Sequence, residues 1–162
     1  MKLLVICICV VGALAIPAVA TGGAVVFPTD NDYQGRIEGD PNTYFGFDVV
    51  RQSGKRKVKH VLAQPPYNCY SGGNHGYALA EIPGSFRIRH GRFHGTREFA
   101  YDNLYQPSPP LATFKLSGRL LRHGKARGTV GFRAYPVGPG DTCYSGTLAW
   151  NAKRGAVVTP NP

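Results

Sequence analysis

From Tyr33 onward the chain alternates apolar and polar residues with a period of two, broken by glycine and proline, and no stretch carries a convincing helical period. Thr43 to Val50 places Phe45, Phe47 and Val49 on one face, Gln52-Ser53-Gly54 has the composition of a hairpin turn, and Lys57 to Leu62 is the return strand. Ala78 to Ile82 and Ser85 to His90, the latter with Phe86 and Ile88 inward, flank a Pro83-Gly84 turn. Ala112 to Leu121 sets Phe114, Leu116 and Leu120 against Lys115, Ser117 and Arg119, and His123-Gly124-Lys125 turns it into Ala126 to Tyr135. A last strand carries Leu148 and Trp150. About eight or nine short strands, with 21 glycines and 13 prolines as punctuation, predict an all-β fold: a single antiparallel β-sandwich or barrel-like domain over residues 33–155. An immunoglobulin domain is disfavoured, because its buried tryptophan lies between two cysteines and Trp150 follows both. Gln64 to Tyr77 and Asp102 to Pro110 read as long loops, the usual carriers of function on a β scaffold.

The N-terminus departs from this pattern. Met1-Lys2 precedes an unbroken apolar run from Leu3 to Val19, ending at the small residues of Ala18-Val19-Ala20. This predicts a signal peptide over residues 1–20, with Thr21 as the new N-terminus, a leader over 21–32 and a tail over 156–162. A membrane anchor is the competing reading; Gly12, Pro17, the A-x-A site and the lack of a basic flank argue against it, and no membrane span is expected after signal removal. Removing residues 1–20 takes Lys2 from 19 basic residues, leaving 18 against 9 acidic ones, a formal charge of +9. The expectation is a small, basic protein that is secreted or held at the cell envelope.

Export decides how the cysteines are read. Cys7 and Cys9 leave with the signal, so Cys69 and Cys143 remain, each opening a Cys-Tyr-Ser-Gly segment. A C-x-x-C redox motif and a four-ligand zinc set are both missing, and an unpaired catalytic thiol is poorly suited to oxidising surroundings. A disulfide between Cys69 and Cys143 closes a loop of 74 positions, a constraint of roughly 4 to 4.5 kcal/mol in the chain-entropy account. Strict alternation puts Tyr144, Gly146, Leu148 and Trp150 on one face and Cys143 on the other, so a bulge near Ser145-Gly146 is expected to bring the cysteine round.

Taken together, Tyr33-Gln34-Gly35, Ser53-Gly54-Lys55, the central cysteine, Gly91-Arg92-Phe93-His94-Gly95, Ser117-Gly118-Arg119, Gly124 to Thr129 and Cys143-x-x-Gly146-x-x-x-Trp150 resemble a class of secreted bacterial β-sandwich proteins. The likeness spans Tyr33 to Arg154 and consists mostly of turns. It implies a fold and an exported setting, and no particular activity.

Candidate chemistry is sparse. His90 and His94 could face one metal only if Gly91 and Gly95 did not break the strand, and Asp30-Asn31-Asp32 with Gly35 begins a calcium loop that no distal glutamate closes; no metal and no cofactor are assigned. Glu81 and Glu98 bear no evident relation as a glycosidase pair, and no G-x-S-x-G elbow occurs, so no catalytic residue is assigned. Basic residues offer more: Arg51, Lys55, Arg56, Lys57 and Lys59 round the first hairpin, Arg87 and Arg89 on one strand face, and Arg119, Arg122, Lys125 and Arg127 round the second. Exposed strand cations also serve solubility, but this excess attracts polyanions, which outside a cell are anionic envelope polymers or polysaccharide. No recognition helix or RNA-binding motif accompanies them, so specific nucleic-acid binding is not expected. The candidate ligand residues are Arg87 and Arg89 together with the loop tyrosines Tyr67, Tyr70, Tyr101 and Tyr105, whose rings could stack on sugars. A binding or structural module is the leading expectation; a small secreted hydrolase and a secreted inhibitor or partner-binding module are the alternatives.

Overall fold

The computed structural model describes residues 31–37, 40–70, 75–100, 111–135 and 142–158. The signal segment 1–20, most of the leader, and Tyr101 and Tyr105 lie outside the described residues. The fold is all-β and antiparallel, with eleven strands among the described residues. These are β1 (Tyr33–Ile37), β2 (Phe45–Gln52), β3 (Lys55–Ala63), β4 (Pro66–Cys69), β5 (His75–Tyr77), β6 (Ala80–Ile82), β7 (Phe86–Arg87), β8 (Arg92–Ala100), β9 (Leu111–Leu120), β10 (Lys125–Tyr135) and β11 (Cys143–Arg154). One sheet runs in the order β6-β3-β2-β1-β11-β10-β9-β8. The short β7 pairs with β3 and passes through a tight turn into β8, which brings the two ends of the sheet together as a nearly closed barrel. Eight strands form the main path; β4, β5 and β7 are the additions that raise the count beyond eight or nine.

Turn chemistry sets the registers. Ser53 and Gly54 (φ 50 and 71) join β2 to β3, and His90 and Gly91 (φ 48 and 74) join β7 to β8. Both pairs have the positive φ at both central positions that a twisted two-residue hairpin requires. His90 is thus a turn residue while His94 lies on β8, which separates the pair considered as metal ligands. Among the described residues no three His, Cys, Asp or Glu side chains come together as a metal site.

The inward-facing aromatics fill the barrel. The indole of Trp150 stacks on Phe45 (ring centroids 4.2 Å, planes 16° apart), and Phe114 packs on Phe132 at 5.0 Å. Each such fully buried ring contributes about 1.5 to 3 kcal/mol. The Trp150 indole needs space from its neighbours, which explains Gly118 and Gly128: a Cβ at either would lie 2.7 or 2.6 Å from Trp150 Cζ2.

Two expectations for β9 to β11 are met together. Phe114 and Leu116 point inward and Lys115 and Arg119 outward, as alternation demands. The β10–β11 register slips between Phe132 and Arg133, leaving Ser145 as the extra residue, and Gly146 adopts φ 69. The bulge turns Cys143 onto the buried face, where it forms the disulfide with Cys69. The two cysteines are directly opposite on β11 and β4.

Gln64 to Tyr77 is only partly a loop, since β4 and β5 pair within it. The larger departure is β8, a nine-residue strand where Gly91 and Gly95 had pointed to turns. Only Gly91 is in the turn. Gly95 is in the strand interior because the Phe86 ring covers it, with Phe86 Cδ1 2.9 Å from where a Cβ would sit.

A polar cluster fixes the entry to β1. Asp48 accepts hydrogen bonds from the Asp32 N–H (2.8 Å) and Asn31 Nδ2 (3.3 Å), and its other oxygen lies 2.7 Å from His60 Nδ1. His60 has φ 47, at an irregularity where β3 carries one residue more than β2. Burial alone would raise the Asp48 pKa; the bonds from Asp32, His60 and Asn31 and the His60 charge outweigh it and hold the carboxyl below the usual aspartate value of 3.8.

Candidate anion-binding face

Antiparallel pairing places residues of neighbouring strands directly opposite one another, with side chains on the same face and Cβ atoms about 4.5 to 5.5 Å apart. On the outside of β8 to β11 this lines up a row of arginines. Arg92 is opposite Arg119, Arg119 is opposite Arg127, and Arg127 is opposite Asn151, which faces Arg36 on β1. The row extends the other way to Arg89, bridged to Arg92 by reciprocal backbone hydrogen bonds of 2.8 Å. Arg89, Arg92, Arg119 and Arg127 are all exposed. None of these four makes an ion pair among the described residues, where the single pair is His60 with Asp48. Like charges directly opposite are destabilising, so four cations in one belt are a cost that an anionic partner would relieve.

Beyond the belt the same outer face becomes richer in hydroxyls. His94, Ser117 and Thr129 form the next row, with Ser117 Oγ and Thr129 Oγ1 2.8 Å apart. Thr96, Lys115, Gly131 and Thr147 follow, and then Glu98, Thr113, Arg133 and Tyr144. Two grooves of about 660 and 790 Å³ lie on this face, the first bordered by Arg92, Arg119 and Arg127, the second reaching Tyr70 and Tyr144. At about 3.3 Å per residue, the six positions from Arg92 to Glu98 put the two ends of the face about 20 Å apart.

The expected ligand residues separate on this framework. Arg89 joins the belt, and the exposed Arg87, two residues earlier on β7, lies opposite Lys57. Tyr70 is at the far end of the face, 67% exposed. Tyr67 turns inward instead: it is half-buried, its ring 6.1 Å from Phe132 and its hydroxyl over Gly76. The residues that sequence reasoning missed are Arg92, which belongs to the unrecognised β8, and Tyr144, which the Ser145 bulge turns outward. The period-two signal that would have found β8 is present, with Phe93 and Phe99 alternating against Arg92, His94 and Glu98.

His94 lies opposite Ser117, but among the described residues Ser117 bonds to Thr129 and no hydrogen bond joins it to His94. An activated serine needs such a base within reach. No helix among the described residues is long and apolar enough to cross a membrane. Comparison of the chain with protein-family models, curated proteins and solved structures gives no match.

Proposed function

We propose that this protein is an exported module of the cell envelope that adheres to anionic polymers through the arginine belt. The observation that supports the reading is the alignment of Arg89, Arg92, Arg119 and Arg127 in one exposed row without a carboxylate partner among the described residues. Arginine presents a planar fork of donors that matches carboxylate or phosphate oxygens, and neighbouring forks spaced by the strand separation engage successive anions of a polymer. The Cys69–Cys143 disulfide fits the oxidising compartment that export implies, and the resemblance to secreted bacterial β-sandwich proteins supports the same setting.

The experiment is retention of the oxidised protein on an anionic wall fraction as salt rises. Retention should weaken steeply between low and moderate ionic strength and should be lost in Arg119→Ala/Arg127→Ala. Retention indifferent to salt and to both substitutions sinks the proposal. Turnover of a glycoside or ester substrate that Ser117→Ala abolishes would replace it with a hydrolase.

A further inference from the structure

Cys69 and Cys143 meet in the disulfide, and each is followed by a tyrosine that lies beside the other. Tyr70 and Tyr144 stand with ring centroids 5.0 Å apart and planes tilted by 36°, and they are 67% and 39% exposed. The covalent tie between Cys69 and Cys143 holds the pair in place, and neither tyrosine belongs to the hydrophobic core cluster. The same groove carries Glu98, Lys115 and the hydroxyls of Thr113 and Thr147.

We infer that this groove is a sugar subsite, taking one pyranose ring of an acidic polysaccharide whose carboxylates lie on the arginine belt. The inference rests on the belt being an anion site and names the class of polymer. A pyranose has an apolar face of C–H groups and a rim of hydroxyls; the tyrosine rings match the first, and the threonines, Lys115 and Glu98 match the second. A bare polyphosphate has no apolar face to offer the rings. With about 20 Å between belt and tyrosines, a chain lying along the strands reaches both, so charge and stacking act on one polymer.

The test is titration calorimetry of the full, oxidised chain against polygalacturonate and, separately, inorganic polyphosphate. Tyr70→Ala/Tyr144→Ala is expected to weaken polygalacturonate binding about tenfold with its salt dependence unchanged, and to leave polyphosphate binding unaltered. Tyr70→Phe/Tyr144→Phe keeps the rings and should retain most of the affinity. Thermal unfolding of each variant checks folding, and Tyr70→Ala alone, at the more exposed position, serves if the double variant unfolds. Polygalacturonate binding within twofold of the unsubstituted chain overturns the sugar subsite and leaves the belt standing. Equal weakening of both polymers by the tyrosine change also overturns it. Binding of both polymers unmoved by Arg119→Ala/Arg127→Ala removes the belt itself.

Discussion

Arg119 on β9 lies directly opposite Arg127 on β10, and both are exposed on the outer face of the barrel. Sheets normally set opposite charges, or a charge against a neutral residue, at such positions. Here Arg92 continues the row on the other side of Arg119, so the central guanidinium has a like charge on each flank.

Replacing it should therefore separate stability from binding. Arg119→Glu converts two repulsive neighbours into attractive ones and is expected to stabilise the fold by about 0.5 to 1 kcal/mol. The midpoint of thermal unfolding would rise by a few degrees, while affinity for anionic polymer falls and its salt dependence flattens. A fall in both stability and affinity would show that Arg119 has a structural role instead.

Addition of an anionic polymer should raise the unfolding midpoint of the unsubstituted chain, because a ligand that prefers the folded state stabilises it by mass action. The rise should be greatest at low salt and should shrink in Arg119→Ala/Arg127→Ala. Differential scanning calorimetry at two ionic strengths measures both effects.

The disulfide closes a separation of 74 residues, and Cys69→Ser/Cys143→Ser is expected to cost roughly 4 kcal/mol in urea unfolding. The loss should be greatest near β4, which among the described residues pairs with the main sheet at two register positions on β11, while β5 pairs with β4 alone. Hydrogen exchange at Tyr67 to Tyr70 should accelerate more than exchange at Phe114 or Val130.

The Asp48 carboxyl is held below its usual 3.8 in the folded state, so its contribution to stability is complete above that value. The contribution is lost as pH falls through the folded pKa, when protonation removes the acceptor for Asp32, Asn31 and His60. Asp48→Asn should lower stability at neutral pH and flatten the acid limb of the pH profile below 3.8; an unchanged limb would place the acid sensitivity elsewhere.

Gly118→Ala tests the packing of the barrel interior. The new Cβ would lie 2.3 Å from Phe93 Cζ and 2.7 Å from Trp150 Cζ2, both in buried rings. Overpacking of this kind costs about 1 to 3 kcal/mol, read as a lower urea midpoint, whereas Gly54→Ala meets no neighbour and should show only the strain of its φ of 71.

Much of this architecture was legible as alternation, since a residue's face in a regular strand depends only on parity: Lys115 and Arg119 read as outward and Phe114 and Leu116 as inward. Parity failed where a glycine had two explanations. Gly95 looked like a turn because a ring approaching from β7 leaves no local mark, and with it went β8, Arg92 and one edge of the candidate face. The bulge at Ser145 was legible, through the need to bring Cys143 inward, yet the same bulge moves Tyr144 outward. Which cations become neighbours was not legible, because register across four strands is a tertiary property: Arg119 and Arg127 read as flanking a hairpin, and only pairing makes them adjacent.

The first and last strands are sheet neighbours, with Tyr33 opposite Arg154 and the Val158 N–H donating to Gln34 Oε1. The polypeptide therefore enters and leaves the barrel side by side, at the pole remote from Tyr70 and Tyr144. A short linker can splice those points together and new ends can be opened at Ser53-Gly54, giving a circular permutant that keeps both grooves, or the whole barrel can be inserted as a cassette into a host protein.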